Sequence, residues 1–332
     1  MSTAPETALA DAPGTALPGA GATPEEIAAH LDRVWNELPF ADALAHTEQL
    51  YGVLPLLALF PEDLDGHLKA VRDGTRRAAL GLFTPNAVFD ATAPTVRAVR
   101  GPDGTLTLGG RFRTTAVRAD ITLVALHHED DATTRLALLP HTLDGLRHHG
   151  AGRARDGGWT TVDGAVLDAR AVTGPVSRGP DGPLAPVIDA YGWEFSRRAV
   201  TWSAGTVAEL RRSLAGTGEG TEALSTSQYL AHELSKLEIE LSLAAAAASF
   251  GPEFKQAPAG AEPAAAVLVA ATDLLARTVR VAEDMTTELG LVSGPGGDDW
   301  PAEVVPSCFG GRRMAEGELA RRMGLVPGAA RA

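Results

Sequence analysis

From Thr23 to Leu38 the apolar residues Ile27, Leu31, Val34, Trp35 and Leu38 recur every three to four positions, the period of one helix face. Thr23 is placed to cap this helix, Pro24 fits its first turn, and Glu26 completes a capping box. A second helix is expected over residues 46–60. A third is expected to open at Pro61, to turn Leu64, Leu68 and Val71 inward, and to end near Gly74. The period then shortens. Between Ala79 and Val176 the chain reads as short strands separated by turn residues, at residues 105–113 after a Gly-Pro-Asp-Gly turn, 121–127, 134–139 and 164–172. After Pro186 it is helical again. Ile188, Tyr191, Phe195, Ala199, Trp202, Thr206 and Leu210 line one long helix, and Leu230, Leu234, Leu237, Leu241 and Ala245 line a second at residues 226–250. A third covers residues 263–289 and a short fourth covers residues 314–323. Long helices with one apolar stripe each bury it by forming a bundle.

The chain thus divides into a disordered tail (1–22), a short N-terminal helical domain (23–78), a middle β domain (79–182) and a C-terminal bundle (183–332), with no internal repeat. The 332 residues, 45% of them hydrophobic, suffice for such a multi-part core. A net charge of −13 argues against nucleic acid or an anionic membrane as partner. No uncharged apolar run reaches the ~18 residues of a membrane span. The single cysteine, Cys308, excludes a disulfide framework and a cysteine-based metal site. The N-terminus lacks a basic and an apolar signal region, so a cytoplasmic enzyme or binding protein is expected, and the Ala- and Gly-rich composition suggests a bacterial source.

Local text adds a resemblance. Thr84-Pro85 follows Gly81-Leu82-Phe83, and Gly109-Gly110-Arg111-Phe112-Arg113-Thr114-Thr115-Ala116 precedes Ala119-Asp120. Leu138-Leu139-Pro140 leads to Gly145, and Thr161 to Val166 forms another strand-like run. Near the end, Phe309-Gly310-Gly311 precedes Glu318-Leu319-Ala320-Arg321-Arg322-Met323-Gly324-Leu325. In this order and spacing, from Thr23 to Leu325, the chain resembles the acyl-CoA dehydrogenase superfamily. The resemblance implies an α+β fold with a short N-terminal helical domain, a middle β-barrel or sandwich domain and a C-terminal four-helix bundle. It also implies an acyl-thioester pocket, FAD as cofactor, and a homodimer formed through the bundle.

The departures bear on function. Where the family holds the flavin pyrophosphate with Gly-Ser-Asp, this chain reads Pro85-Asn86-Ala87-Val88-Phe89-Asp90. Glycine lets backbone N–H groups approach a phosphate and serine adds a donor; Phe89 does neither. Arg113 falls at the flavin-stacking aromatic, with Thr114 and Thr115 left as donors only if FAD is bound. The family's Arg-x-x-Phe-Gly-x-Pro turn reads Arg212-Ser213-Leu214-Ala215-Gly216-Thr217-Gly218, and Gly310-Gly311-Arg312 stands where one branch carries its catalytic Glu-Gly-Thr.

Glu194, near the start of the first bundle helix, lies close to another branch's catalytic glutamate and is the candidate acid or base, tuned upward by burial. Its alternative is a solvated first-turn carboxylate. Tyr191, Trp193, Trp202, Arg113, Tyr229 and Phe309 are candidate substrate contacts, the alternative for the aromatics being bundle core. His127 to Asp131 and His148-His149 match no metal-site spacing and read as solvated loops, so no metal is expected. Arg312 and Arg313 suit an anionic group or ion pairs.

Three functions follow. One is a flavin-free enzyme that reuses the acyl pocket for cyclisation or pericyclic rearrangement of an apolar, polyketide-like substrate. Another is an FAD-dependent acyl-thioester dehydrogenase or oxidase. The third is a non-catalytic subunit of a hetero-oligomer.

Overall fold

The structure is a computed structural model that describes residues 17–18, 22–60, 66–82, 94–114, 119–149, 159–176, 182–216, 223–249 and 263–288. The expected fourth bundle helix, Phe309, Thr115 and the stretch 83–93 lie outside these residues.

Helix α1 (Pro24–Glu37) starts as the sequence dictates. The Thr23 hydroxyl accepts from the Glu26 N–H at 3.2 Å and the Glu26 carboxylate accepts from the Thr23 N–H at 2.7 Å, which satisfies two otherwise orphaned donors. Leu31 and Val34 are buried. The second helical segment starts earlier than residue 46: α2 spans Phe40–Glu48, a π-turn follows at Gln49–Val53, and α3 spans Leu54–Leu57. Pro39 makes no side-chain cap, which is why this start was not legible. Helix α4 covers His67–Arg72 with Val71 buried, and Gly74 follows at φ 71°.

Seven strands form one sheet: β1 (Ala78–Gly81), β2 (Val96–Arg100), β3 (Leu106–Arg113), β4 (Ile121–His128), β5 (Thr133–Pro140), β6 (Leu146–His149) and β7 (Trp159–Leu167). The order is β1-β4-β2-β3-β7-β6, with β5 on the other side of β4. Strands β1 and β2 pair in parallel with successive halves of β4, Ala78 opposite Ile121 and Val96 opposite Leu126. Alternation along β4 explains its uninterrupted apolar text. Ile121, Leu123 and Ala125 enter the core shared with the helices, whereas Val124 and Leu126 enter the core inside the β domain. Leu136 and Leu138 of β5 face the first core, Ala137 and Leu139 the second. The β4–β5 pair is therefore the wall between the two cores, buried on both faces.

The strand expected at residues 164–172 sits at Trp159–Leu167 instead. Gly164 looked like its start but is a bulge inside it: at φ 69° it is the extra residue where Asp163 and Ala165 oppose the consecutive Gly109 and Leu108. Gly110 beside it has φ 128° and lies so close to the Thr95 carbonyl that a Cβ would fall 2.1 Å from it.

Helices α5 (Leu184–Gly216), α6 (Ala223–Ser249) and α7 (Pro263–Glu288) pack as the apolar stripes require, with Tyr191, Phe195, Ala199 and Leu210 of α5 buried. On α6, Leu230, Leu234 and Leu237 are buried, and Ala244 and Ala248 carry the stripe onward in place of Ala245. No helix among the described residues is long and apolar enough to cross a membrane.

Candidate active site

Tyr191, Glu194, Arg198 and Trp202 recur at three- and four-residue intervals along α5, so they share one face. That face meets the N-terminal helices. Three groups of polar side chains are buried there.

The first group docks β1. Among the described residues the β1 edge away from β4 has no strand partner over Ala78–Gly81, and two side chains from the α2–π-turn boundary take that place. Gln49 accepts from the Ala78 N–H at 3.2 Å and donates to the Ala78 carbonyl, as a neighbouring strand would. Glu48, buried, accepts from the Leu80 N–H at 2.7 Å and from the Tyr191 hydroxyl at 3.2 Å. Gly52 of the π-turn is pressed against Leu80 and Tyr191, where a Cβ would lie 2.7 Å and 3.5 Å from their side chains.

The second group is ionic. Glu194, only 6% exposed, accepts from Arg197 at 2.9 and 3.2 Å and from Arg198 at 2.7 Å. Arg198, also buried, reaches across to α1, pairing with Asp32 and donating to the Ala28 carbonyl at 3.4 Å. Its hydrogen bond to Glu194 raises Arg197 above the ordinary guanidinium range, against the opposing effect of burial. Burial lifts the Tyr51 phenol above its ordinary value. The Glu194 charge adds to this, and Arg197 and Arg198 oppose it.

The third group is a histidine pair. His30 Nε2 and His46 Nδ1 are 3.3 Å apart and both rings are buried, so a single proton lies between them. Burial, then the charges of His30 and Arg77, hold His46 down to about 4; burial and the Arg33 charge lower His30. Beside the pair, Trp35, Phe40 and Trp202 meet edge-to-face at centroid distances of 5.2 and 5.5 Å, and Trp35 donates to Thr47 at 2.9 Å.

The structure thus brings Tyr191, Glu194 and Trp202 together and places Trp193 in the same core. It corrects the reading of Glu194 as a free acid or base: both carboxylate oxygens are engaged by guanidinium groups, so neither is open to a substrate proton in this geometry. Tyr229 is corrected as well. It is 58% exposed on α6, on the side away from the buried leucines, and lines no interior wall. Arg113 sits at the end of β3 opposite Trp159 of β7. Thr114, next to it, is buried.

Sequence reading missed Glu48, Tyr51, His30, His46 and Asp32. A glutamate and glutamine inside the apolar stretch of residues 43–60 were a signal for the first group, and Arg197 and Arg198, three and four residues beyond Glu194, were one for the second. The loop residues read as solvated are paired at the sheet rim: His128 with Asp131 at 3.1 Å, Arg97 with Glu129 at 3.4 Å and Arg100 with Asp130 at 3.7 Å. The Thr133 hydroxyl, foremost, and Arg135 hold Asp131 well below the usual carboxylate range. His148 bonds Thr160 at 2.9 Å. Among the described residues no group of three His, Cys, Asp or Glu is arranged to hold a metal.

With this layout of helices, β domain and bundle, the chain has the acyl-CoA dehydrogenase fold. No known family profile and no curated protein sequence matches it. Among solved structures it is similar to an FAD-dependent dehydrogenase (13% identity, TM-score 0.69), covering 91% of this chain and 85% of that one. It is similar to a glutaryl-CoA dehydrogenase from Mycobacterium smegmatis at 16% identity and a TM-score of 0.65, over 89% of this chain and 78% of that one. FkbI, an enzyme for biosynthesis of the methoxymalonyl extender unit of the Fk520 polyketide, aligns at 17% identity and a TM-score of 0.62, over 91% of this chain and 85% of FkbI.

The fold raises the question of whether these residues suit FAD. At the end of β3, where the resemblance puts the flavin ring, the described side chains are Arg113 and the single buried hydroxyl of Thr114. The resemblance puts Arg113 at the stacking aromatic and Val88-Phe89 at Gly-Ser. The likeness to FAD-dependent dehydrogenases makes FAD a plausible ligand of this fold.

Proposed function

We propose that the protein is a flavin-independent enzyme on an acyl-CoA dehydrogenase scaffold. Its reaction is a non-redox ring closure or rearrangement of a large, apolar, polyketide-like substrate in bacterial specialised metabolism. What supports this reading is the sequence where the resemblance puts the flavin, with Arg113 for the stacking aromatic and Val88-Phe89 for Gly-Ser. Without flavin, acid–base and positioning chemistry remain, and these need a dry site with ordered polar groups. The α1, π-turn and α5 junction offers both: apolar packing around Trp35, Phe40 and Trp202, and two hydrogen-bonded groups, Glu48 with Tyr191 and Glu194 with two arginines. The fold likeness to FkbI supports the polyketide class of substrate.

The second reading is an FAD-dependent dehydrogenase or oxidase of acyl thioesters, favoured by the likeness to flavin-dependent dehydrogenases. The visible spectrum of the protein purified from an overexpressing host separates the two. The first reading predicts a colourless protein releasing no flavin on denaturation; stoichiometric released FAD would establish the second.

The enzyme would act as a homodimer through the bundle. Tyr229, Ile239 and Leu243 are exposed apolar residues on the side of α6 opposite Leu230, Leu234 and Leu237, with His232 and Lys236 between them, a mixed face that suits a second copy. Light scattering at micromolar concentration should give twice the chain mass, and a monomer would contradict the proposal.

A further inference from the structure

Over β1, β4 and β5 one face of the sheet is covered by the helices, with Leu80, Leu123 and Leu138 in the core they share. The same face continues onto β2, β3 and β7 through the pairing of Arg97 with His127. There it is open, and Arg97, Arg111 and Asp163 on it are exposed. The register brings these side chains together. Arg97 stands opposite Gly109, Gly109 opposite Asp163, and Arg111, two residues along β3, opposite Thr161. Directly opposed residues share a face and neighbouring strands lie about 4.8 Å apart, so Arg97 and Thr161 flank Arg111 from either side. Gly109 leaves the floor bare: a Cβ added there meets nothing within 4 Å. The result is a depression of about 600 Å³ lined by Thr95, Arg97, Gly110, Arg111, Thr161 and Asp163.

The Arg111 guanidinium has no acceptor among the described residues. Arg97 holds Glu129 at 3.4 Å and Arg147 holds Asp163 at 3.2 Å, both as exposed pairs that give way at little cost. Asp163 is the one carboxylate among the described lining residues, and Arg147 offsets it. In a chain of net charge −13, two guanidinium groups and a hydroxyl around a bare floor are a local reversal of sign. We propose that this depression binds the phosphate group of a phosphate monoester, with Arg97 and Arg111 as charged donors and the Thr161 hydroxyl as a third. Guanidinium groups meet phosphate oxygens through paired N–H bonds, and two of them match the two charges of the dianion, which a carboxylate lacks. With His149 Nε2 donating to it at 3.2 Å, the Thr161 hydroxyl keeps its own proton for the phosphate. The site uses neither Arg113 nor Thr114, so it stands or falls separately from the reading of the flavin position.

Inorganic phosphate is the probe. Titrated into the full-length protein at about pH 8 and constant ionic strength, where the dianion dominates, it should give saturable heat with one site per chain. Arg111→Ala should weaken binding about tenfold or more, as expected for charge-assisted hydrogen bonds, and Arg111→Lys should restore part of it. Gly109→Val keeps every charge but fills the floor. Its Cβ meets no neighbour, so the variant should fold by circular dichroism and lose binding; Arg111→Ala carries the test if it does not fold. Arg211→Ala makes the same charge change on α5, beside Glu238, and should leave binding as it was. No saturable heat at tens of millimolar phosphate, equal binding of acetate, unchanged binding in Arg111→Ala or in folded Gly109→Val, or an equal loss in Arg211→Ala would overturn the site.

Discussion

The rim of the β domain and the α1–α5 junction use the same residue types to opposite effect. At the rim, Arg147 and Asp163 meet at 3.2 Å with side chains 70% and 66% exposed, so water screens the pair and supplies alternative partners. At the junction, Arg198 and Glu194 meet at 2.7 Å with side chains 5% and 7% exposed. There water is excluded, and the charges are satisfied only within the protein, by each other and by Arg197, Asp32 and the Ala28 carbonyl. Burial, more than charge or spacing, separates an ornamental ion pair from one on which the docking of two helices depends.

The sharpest way to break this contrast is Arg198→Ala, which leaves buried Glu194 with Arg197 alone and Asp32 without its guanidinium. The expected loss is about 2–3 kcal/mol, read as a fall in the denaturant midpoint. Replacing Glu194 and Arg198 together by Leu and Met should restore much of that stability. If the single variant is as stable as the wild type, the junction is wetter than described. Tyr191→Phe is next: it leaves Glu48 with the Leu80 N–H but without the phenol, at an expected cost of about 1–3 kcal/mol by chemical denaturation.

The histidine pair gives a pH test of the same contrast. Its pKa values are lowered in the folded state, so between about 6.5 and 4 the unfolded chain binds more protons than the native one. The stabilising neutral pair is fully present above pH 6.5 and is lost as pH falls towards 4. Arg33 and Arg77 face the pair and disfavour its protonation, and Asp42 partly offsets Arg77 at 3.6 Å. Stability of His46→Gln should therefore fall less steeply than that of the wild type across this window. Parallel curves would remove the pair from the account. The smallest effect belongs to the rim, where Arg147→Ala should change stability by less than about 1 kcal/mol.

The legible parts of the fold were those written in local periodicity. The Thr23–Glu26 box and the stripes of α5 and α6 follow from three- and four-residue spacing, and β4 follows from an apolar run. Strands β2 and β6 went unread because each is four or five residues long and is specified by its neighbours. The site was less legible for the same reason. Glu194, Tyr191 and Trp202 could be picked out on one helix, and the arginines that hold Glu194 are local, but Tyr191 and Trp202 take their partners from more than 140 residues away, Glu48 and Phe40. No local pattern joins α1 and the π-turn to α5. Tyr229 misled because residue type places a side chain along the chain without giving its depth.

The central claim is that this scaffold works without flavin, and direct titration of the purified protein with FAD tests it most simply. The account predicts no saturable change in flavin fluorescence or heat up to tens of micromolar FAD. A stoichiometric complex with a sub-micromolar dissociation constant would contradict it and return the protein to redox chemistry.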